Sequence, residues 1–471
     1  MSTAAKARRD SVLEAAAVIG TIFIFNMQEA MIAAAFPRIL KELSFTPVQA
    51  GWFFSGTSLA AIVALPLIGR LGDLFSKGWI VAALILLATG GAVVSALGSN
   101  FGVVFLGQVM LGLSVALHPM TVALMTELLP PDRAPMGNGF MVGGAVGGTT
   151  VGLICGGFVV NAFGFRGIYW VPLPALAMLI GVIVWLQFGR YSTPRVKRSR
   201  QIDWVGWALL GVGSVLLMLF LGQGAKQGWT SLATLGQMVG AAVVLGVWIQ
   251  AEKRHSSPLV DIGLFTSRGV ALVCVIALAM GAAVAGVAML VPMILQADPA
   301  SGIGLGVDVM QTGLYLLPFG IAASISAPLN VLLRKLIGGH GALLFSTTMV
   351  LAAACWVYLF HTEGWHFLVG TGMTGVGIGL ASAELANSMV AFAGKERAAS
   401  ATSMMYVIKS VGSMICAQLC GGLLGVAAHH GIGPIAPSGF EYSLLLTAGI
   451  ATLGVVAALS LSLKLIRPQI Q

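Results

Sequence analysis

Charged residues are scarce in this chain of 471 residues: Asp, Glu, Lys and Arg together make up 9%, whereas 58% of the residues are hydrophobic. In soluble globular proteins about a quarter of the residues are charged. The scarcity of charge therefore excludes a soluble globular protein and indicates a chain that lies in a lipid bilayer.

Cysteine is scarce, and motifs that bind phosphate or metal are lacking. The Gly-rich segment 143–157 has no P-loop Lys and lies in an apolar span, where small residues permit close helix packing. We therefore expect that the protein is not an enzyme and that it has no cofactor and no metal site.

The absence of an N-x-Ser/Thr sequon favours a bacterial origin. The five cysteines all fall in apolar segments, match no metal-site spacing and are expected to pack there: Cys155, Cys274, Cys355, Cys416 and Cys420.

Apolar segments of roughly 20 residues, long enough to cross about 30 Å of hydrocarbon, recur along the whole chain. Backbone polar groups must be satisfied internally in lipid, so we predict helices and an all-α integral membrane protein. Fourteen spans are predicted, near 12–36, 49–69, 79–99, 102–127, 137–163, 167–189, 204–223, 230–251, 269–296, 309–333, 341–360, 366–392, 399–428 and 441–464.

Lys and Arg are distributed unequally between the two sets of loops. Twenty of the 25 fall in the termini and the loops on the same side, four fall in the opposite loops, and Lys409 lies within a span. The positive-inside rule then places both termini in the cytoplasm. The net charge of +9 is read as a topology signal with some attraction to lipid headgroups, and not as a sign of a nucleic-acid partner.

The chain also contains an internal repeat. Residues 112–157 match residues 377–422 without a gap, with nine identities, so that spans 4–5 correspond to spans 12–13. Repeated halves around a site at the middle of the membrane are typical of transporters. We predict a six-helix bundle at 1–189, a cytoplasmic linker and two inserted helices at 190–268, and a second six-helix bundle at 269–471.

The segment Gly69–Gly78 is a charged island between two apolar spans. It resembles motif A of the major facilitator superfamily, G-x-L-[A/G]-D-x-x-G-[R/K]-[R/K]. The resemblance implies a gate formed by Arg70, Asp73 and Lys77, in which Asp73 caps the next helix or pairs with a base of the other bundle. The alternative is a solvated loop with one weak ion pair.

Other segments extend this resemblance over nearly the whole chain. They are similar to the fourteen-span drug:proton antiporter branch at the end of span 1, in span 5, before span 6 and around the inserted spans: Ala34–Pro37, Gly152–Gly157, Phe165–Pro172, Ile202–Gly206 and Pro258–Phe265. The chain departs from that branch at four positions. Gln28 and Glu29 stand where span 1 usually has Asp, Gln108 replaces the Arg of motif B, Leu153 replaces the Pro of motif C, and Lys409 replaces Arg.

Four ionisable residues lie deep in the predicted spans: Glu29, His118, Glu384 and Lys409. Such groups are costly in a bilayer and indicate function by default. We predict that Glu29, Glu384 and Lys409 couple transport to protons. Glu29 could instead be neutral and bonded to a backbone carbonyl, and Glu384 could form a purely structural pair with Lys409.

His118, beside Pro119, is interpreted as a packed or water-bonded histidine near the substrate rather than as a proton carrier. Aromatic and Met side chains on span 1 suit a large apolar ligand. The predicted substrate-binding residues are Phe25, Met27, Gln28, Met31, Gln108, His118 and Asn387.

The resemblance implies the major facilitator fold with fourteen helices, in the inner membrane of a bacterium. It implies a secondary transporter that exports hydrophobic or amphipathic small molecules by alternating access, in exchange for protons. Two alternatives remain: a dedicated exporter of one self-made metabolite, such as an antibiotic, pigment or siderophore, and a non-transporting membrane sensor or scaffold.

Overall fold

A computed structural model of the chain describes residues 3–129, 134–189, 202–255, 258–260, 262–393, 398–430 and 437–466. Regular structure in these residues is entirely helical. Thirteen of the described helical stretches are long and apolar enough to cross a membrane. The predicted all-α membrane architecture is therefore confirmed.

The helices follow one another along the chain with short connections, and the linker predicted from residue 190 lies largely outside the described residues. The α-helices are α1 Thr3–Glu42, α2 Pro47–Leu74, α3 Lys77–Leu97, α4 Phe101–Leu113, α5 Leu117–Leu128, α6 Ala134–Phe163, α7 Gly167–Trp170, α8 Leu173–Gly189, α9 Trp204–Gln227, α10 Leu232–Arg254, α11 Arg268–Gln296, α12 Val309–Leu359, α13 Gly364–Ala393, α14 Ala398–His430 and α15 Pro437–Ile466.

Helix α12 contains two of the predicted spans. It is 51 residues long and breaks at Gly338, whose φ of 73° and ψ of 169° are not helical. That region of backbone space is open almost only to glycine. The first arm continues through Arg334, where a loop was expected. Counting its two arms separately raises the thirteen spans to the predicted fourteen.

The fourth predicted span is interrupted. A 3-10 turn at Ser114–Ala116 separates α4 from α5. The cause is Pro119, which has no N–H to donate to the carbonyl oxygen of Val115, four residues earlier. The helix therefore changes its winding close to His118.

Two sets of helices repeat the same packing, and we call α1–α8 the N-half and α11–α15 the C-half. In the N-half α6 lies along α1, and in the C-half α14 lies along α11. Both contacts depend on glycine: a Cβ on Gly148 would collide with the carbonyl oxygen of Phe23, and one on Gly412 with that of Leu278. The repeated segments of the sequence thus end in corresponding helices, α6 and α14, each of which packs along the first helix of its half.

The halves meet along two seams, α2 with α14 and α6 with α12. We call the end of the molecule that carries the α1–α2 loop the distal end, and the opposite end, where α1 begins, the termini end. At the distal end Gly51 packs against Gly421, and Gln296 Nε2 donates a hydrogen bond of 2.9 Å to the carbonyl oxygen of Ala34. These contacts close the distal end.

Helix α9 lies across the α2–α14 seam and contacts both of its helices. Trp207 Nε1 donates a hydrogen bond of 3.0 Å to the carbonyl oxygen of Val63 on α2. Further along α9, a Cβ on Gly222 would lie close to both Trp52 of α2 and Gln418 of α14. The first inserted helix is therefore packed against both halves.

Candidate functional site

The two halves bring opposite charges together near the middle of the molecule. Glu29 on α1 and Lys409 on α14 lie close enough for their charges to attract each other. Glu29 lies in the middle of a long apolar helix, yet its side chain is exposed to solvent. The carboxyl group therefore faces a gap inside the molecule, where a proton or a ligand can reach it.

The backbone of α14 fixes the direction in which Lys409 points. The carbonyl group of Lys409 lies against Gly281 of α11, where a Cβ would collide with it. One turn later, Ser413 Oγ accepts a hydrogen bond of 3.0 Å from Ser58 Oγ of α2. Residues four apart share a helix face, so this face of α14 is directed toward the N-half.

His118 on α5 is the third ionisable group of the site. Its Nδ1 lies 3.1 Å from the Val115 carbonyl oxygen, which lacks the helical donor four residues further on because that residue is Pro119. Its Nε2 lies 3.2 Å from Asn26 Nδ2 on α1. A neutral ring with the proton on Nδ1 satisfies both contacts, since Nδ1 donates to the carbonyl and Nε2 accepts from the amide.

The charge of Lys409 also acts on His118, so that the histidine belongs to the same group as Glu29. The ring of Phe25 meets the His118 ring edge-on, with the ring centroids 5.7 Å apart. We call Asn26, Glu29, His118 and Lys409 the central group. It joins three helices, α1 and α5 of the N-half and α14 of the C-half.

The predicted apolar contacts differ in their surroundings. Phe25 and Met31 are buried, whereas Met27 is half-buried. Met31 lies against Gly156 of α6, so it contributes to helix packing. Phe25, by contrast, is in contact with the central group.

The three predicted amides lie in three different environments. Gln28 is buried beside Glu29, and neither atom of its amide has a hydrogen-bond partner among the described residues. Gln108 is buried inside the N-half, where its Nε2 donates a hydrogen bond of 3.0 Å to the hydroxyl of Tyr169. Asn387 is exposed on α13. Gln108 therefore lies away from the central group, whereas Gln28 is buried one residue before Glu29 on α1.

The structure gives Glu384 partners other than the predicted Lys409. Its carboxylate accepts a hydrogen bond of 3.0 Å from Asn330 Nδ2 and lies 3.8 Å from Arg334 Nη1, both on the first arm of α12. The reason is that α13 packs chiefly along α12 and only slightly against α14. The predicted contact with Lys409 is therefore wrong, because Lys409 faces Glu29 and Glu384 faces α12.

Glu384 also lies at the Gly338 break. A Cβ on Gly339 would come within 2.5 Å of its Oε1. A carboxylate at the start of a helix interacts favourably with the helix dipole, and the second arm of α12 starts here. The position suits a structural role within the C-half.

The predicted gate loop is attached to the N-half. Lys77 forms an ion pair with Glu127 at the end of α5, and Ser76 Oγ donates a hydrogen bond of 3.1 Å to Gln187 Oε1 of α8. Arg70 is half-buried, and the side chain of Asp73 lies outside the described residues. The gating role of these residues stays a prediction.

Three polar residues of these clusters were missed by the sequence analysis: Asn26, Asn330 and Arg334. For Asn26 a signal was present, since it lies three residues before Glu29 on the same helix face. The other two lie where the sequence indicated the end of a span. Among the described residues, no three His, Cys, Asp or Glu side chains gather as a metal site.

Comparison with known proteins gives a consistent result. The family model described as the Major Facilitator Superfamily matches residues 18–417. The multidrug resistance protein Stp of Mycobacterium tuberculosis is 26% identical over 407 residues, which cover 86% of this chain and 74% of Stp.

Two further relatives come from Streptomyces species. The probable actinorhodin transporter of Streptomyces coelicolor is 25% identical, with 87% of this chain and 72% of that protein covered. The tetracenomycin C resistance and export protein of Streptomyces glaucescens is also 25% identical, with 80% and 70% covered.

Solved structures support the fold alone. An auto-inhibited peptide transporter of the POT family superposes with a TM-score of 0.66 at 14% identity and covers 96% of this chain and 97% of its own. A bacterial homologue of the lysosomal transporter Spinster, in an inward-facing and unoccupied conformation, gives 0.64 at 13% identity, with 95% and 97% covered.

Proposed function

This chain belongs to the Major Facilitator Superfamily, and from that premise we propose that it exports hydrophobic or amphipathic small molecules by alternating access, in exchange for protons. The observation that carries the proposal is the central group. An exposed carboxyl of one half faces the ammonium group of the other half across a gap in the middle of the molecule.

Alternating access requires two states that open at opposite ends. In the proposed cycle the helices of residues 1–189 and 269–471 move against each other as two bodies. The closed distal end and the exposed Glu29 suit the state that opens at the termini end. With both termini in the cytoplasm of a bacterial inner membrane, this is the state in which an exporter takes up its cargo.

Glu29 is the proposed proton site. When it is ionised, its attraction to Lys409 helps hold α1 and α14 together. When it is protonated, that attraction is lost and the halves separate more easily. A ligand shifts a conformational equilibrium only by its difference in affinity between the states. In this scheme protonation of Glu29 breaks the Glu29–Lys409 attraction. Glu29 therefore has a different proton affinity in each of the two states, and this difference lets protons drive the cycle.

The substrate class follows from the groups around Glu29. Phe25 and the His118 ring offer aromatic contacts, Met27 an adaptable apolar one, and the Gln28 amide a hydrogen bond. A buried amide without partners costs about 1–3 kcal/mol, so an occupant that satisfies it is stabilised. These groups suit an aromatic molecule with a polar edge.

A dedicated exporter of one self-made metabolite is the second candidate function. It is favoured by the two Streptomyces relatives, whose names concern actinorhodin and tetracenomycin C. The names of the relatives support transport rather than a sensor or a scaffold. A substrate panel separates a broad exporter, which moves cationic dyes and unrelated aromatic compounds alike, from an exporter of one compound.

The test uses the full chain reconstituted in liposomes with an imposed proton gradient. We expect concentrative movement of a fluorescent substrate in the wild type and at least about a tenfold loss in Glu29→Gln, since the amide keeps the volume but can neither take up nor release a proton. Exchange of substrate without a gradient should survive in the variant. Glu363→Gln is the matched control, because Glu363 is an exposed carboxyl far along the chain from the central group.

Two results would contradict the proposal. Gradient-driven transport by Glu29→Gln with an unchanged pH profile would exclude Glu29 as the proton site. Wild-type transport that does not respond to the proton gradient, but persists with a gradient of another ion, would exclude proton exchange.

A further inference from the structure

Two acidic side chains meet at the termini end of the α9–α10 hairpin. Asp203 immediately precedes α9, and Glu252 lies in the last turn of α10, so the antiparallel helices bring them together. Both are buried, with 5% and 2% of their surface exposed. Asp203 Oδ1 accepts a hydrogen bond of 2.7 Å from the backbone N–H of Gly206, and Glu252 Oε2 lies 3.5 Å from the backbone nitrogen of Val260.

The second oxygen of each carboxyl has no hydrogen-bond partner among the described residues. These two oxygens approach the same place. A Cβ built on Gly206 would lie 2.5 Å from Asp203 Oδ2 and 3.1 Å from Glu252 Oε1. The two oxygens are therefore at most 5.6 Å apart, the sum of these two distances. Two ionised carboxylates within this distance repel each other when water is excluded.

The described bases nearby do not neutralise the pair. The side chains of Lys253, Arg254 and Arg268 are exposed to solvent. His255 is half-buried and has another contact, and Asp261 lies outside the described residues. The described surroundings of the two carboxyls therefore supply hydrogen-bond donors, namely the backbone N–H groups of Gly206, Leu259 and Val260 and the nearby indole N–H of Trp248, but no positive charge.

A metal cation fits this place poorly. Calcium takes six to eight oxygen ligands and magnesium requires a near-ideal octahedron of oxygens. Two carboxyl oxygens beside backbone N–H groups do not provide such a shell. A proton needs only the two oxygens.

We propose that Asp203 and Glu252 bind one proton between them, as a carboxylic acid that donates a hydrogen bond to a carboxylate. The proton removes one of the two negative charges and satisfies both unpartnered oxygens at once. The pair is a proton-binding site separate from the central group, and the inference does not rest on the proposed transport function.

The shared proton connects three parts of the chain. It joins the start of α9 to the end of α10, and through Val260 it reaches the segment that leads into the C-half. When the proton is lost at alkaline pH, two buried negative charges remain side by side. We therefore expect the hairpin to loosen as the pH rises.

Infrared spectroscopy of the purified full chain tests the proposal directly. At neutral pH, the infrared spectrum of Asp203→Asn and that of Glu252→Gln should each lack one protonated carboxyl C=O band that the wild-type spectrum contains. Both variants lose it because the introduced amide donates to the remaining carboxylate. Asn also remains a good helix N-cap, so Asp203→Asn is expected to fold. Glu363→Gln should leave the band unchanged.

Thermal unfolding gives the second measurement. The shared proton favours the folded state, so its stabilisation is present at low pH and is lost as the pH rises. As the pH rises, the wild-type midpoint should fall more steeply than that of Glu252→Gln, in which the amide takes the place of the protonated acid. An intact band in both variants, or identical pH profiles, would overturn the proposal. A midpoint that rises with added Na⁺, Ca²⁺ or Mg²⁺ in the wild type alone would assign the site to a cation instead.

Discussion

At the scale of single residues, Pro119 determines how His118 is used. By withholding one backbone donor, the proline leaves the Val115 carbonyl oxygen to the imidazole ring. The other ring nitrogen is then available to accept a hydrogen bond from Asn26 across the helix interface. The sequence motif His-Pro thus sets both the bend of the helix and the orientation of a side chain in the central group.

Glu384 allows a test of its structural role. Glu384→Ala leaves the buried amide of Asn330 without its acceptor, and an unsatisfied group of this kind costs about 1–3 kcal/mol. We expect a lower thermal midpoint for the alanine variant and a smaller loss for Glu384→Gln, whose amide oxygen can still accept from Asn330 Nδ2. Differential scanning fluorimetry in detergent measures both.

The control is Asn387→Ala, which removes an exposed polar group from the same helix. If Glu384→Ala unfolds at the wild-type temperature, the contacts with Asn330 and Arg334 do not stabilise the C-half. If Glu384→Gln is stable but cannot concentrate substrate, Glu384 belongs to the proton-coupling residues after all.

The residues of the central group were predictable in part. Glu29, His118 and Lys409 stand out because an ionisable side chain in an apolar span is costly, and that cost is visible in the sequence. The partner of Lys409 was not predictable. Equal depth in the membrane allows a contact, but which helices pack together decides it, and α14 turns its polar face toward the N-half.

At the scale of helices, close packing of α1 with α6 depends on Gly148. A methyl group there would collide with the carbonyl oxygen of Phe23. We expect Gly148→Ala to destabilise the protein by about 1–3 kcal/mol, because overpacking forces the helices apart. Thermal unfolding of the purified variant provides the measurement.

Gly143 offers a matched control on the same helix, since a Cβ there would meet nothing within 4 Å. Gly143→Ala should be neutral or stabilising by up to about 1 kcal/mol, in line with the helix propensity of alanine. Equal midpoints for the two variants would show that the α1–α6 distance is not limited by this glycine.

Helix existence was predicted well and helix continuity less well. Long apolar runs identify spans because the bilayer leaves them no alternative structure. Continuity depends on single residues: Pro119 interrupts a span predicted as one helix, and Gly338 allows two predicted spans to run on with only a sharp break between them. The polar residues Arg334 and Lys335 indicated a loop because charge marks the membrane surface, although helices can extend beyond it.

At the scale of the whole molecule, the seam between α2 and α14 can be locked. Ser58 Oγ and Ser413 Oγ are 3.0 Å apart across the two halves. With the five native cysteines replaced by alanine, Ser58→Cys combined with Ser413→Cys should form a disulfide under mild oxidation. We expect the oxidised variant to bind substrate but to lose transport, because the halves can no longer separate at this seam.

Reduction should restore transport to the level of the two single-cysteine variants, which serve as controls. Substrate binding can be followed by tryptophan fluorescence in the same samples. Full transport by the cross-linked protein would show that this seam does not open during the cycle.

The helical membrane architecture could be predicted because it rests on hydropathy. The repeated segments 112–157 and 377–422 end in α6 and α14, and these helices pack in the same way along α1 and α11. The closed distal end was not predictable. It results from contacts such as that of Gly51 with Gly421, which lie far apart in the sequence and carry no local signal.

The position of α9 has a consequence for traffic between the bilayer and the interior. A substrate that is apolar enough to dissolve in the membrane can reach a transporter laterally from the bilayer as well as from the water. On the side of α2 and α14 that approach is barred, because a further helix is fastened over the junction through Trp207 and Gly222. Lateral entry, where it occurs, is therefore restricted to the lipid-facing surface away from α9. The side of the protein at α2 and α14 differs in this respect from the rest of its perimeter.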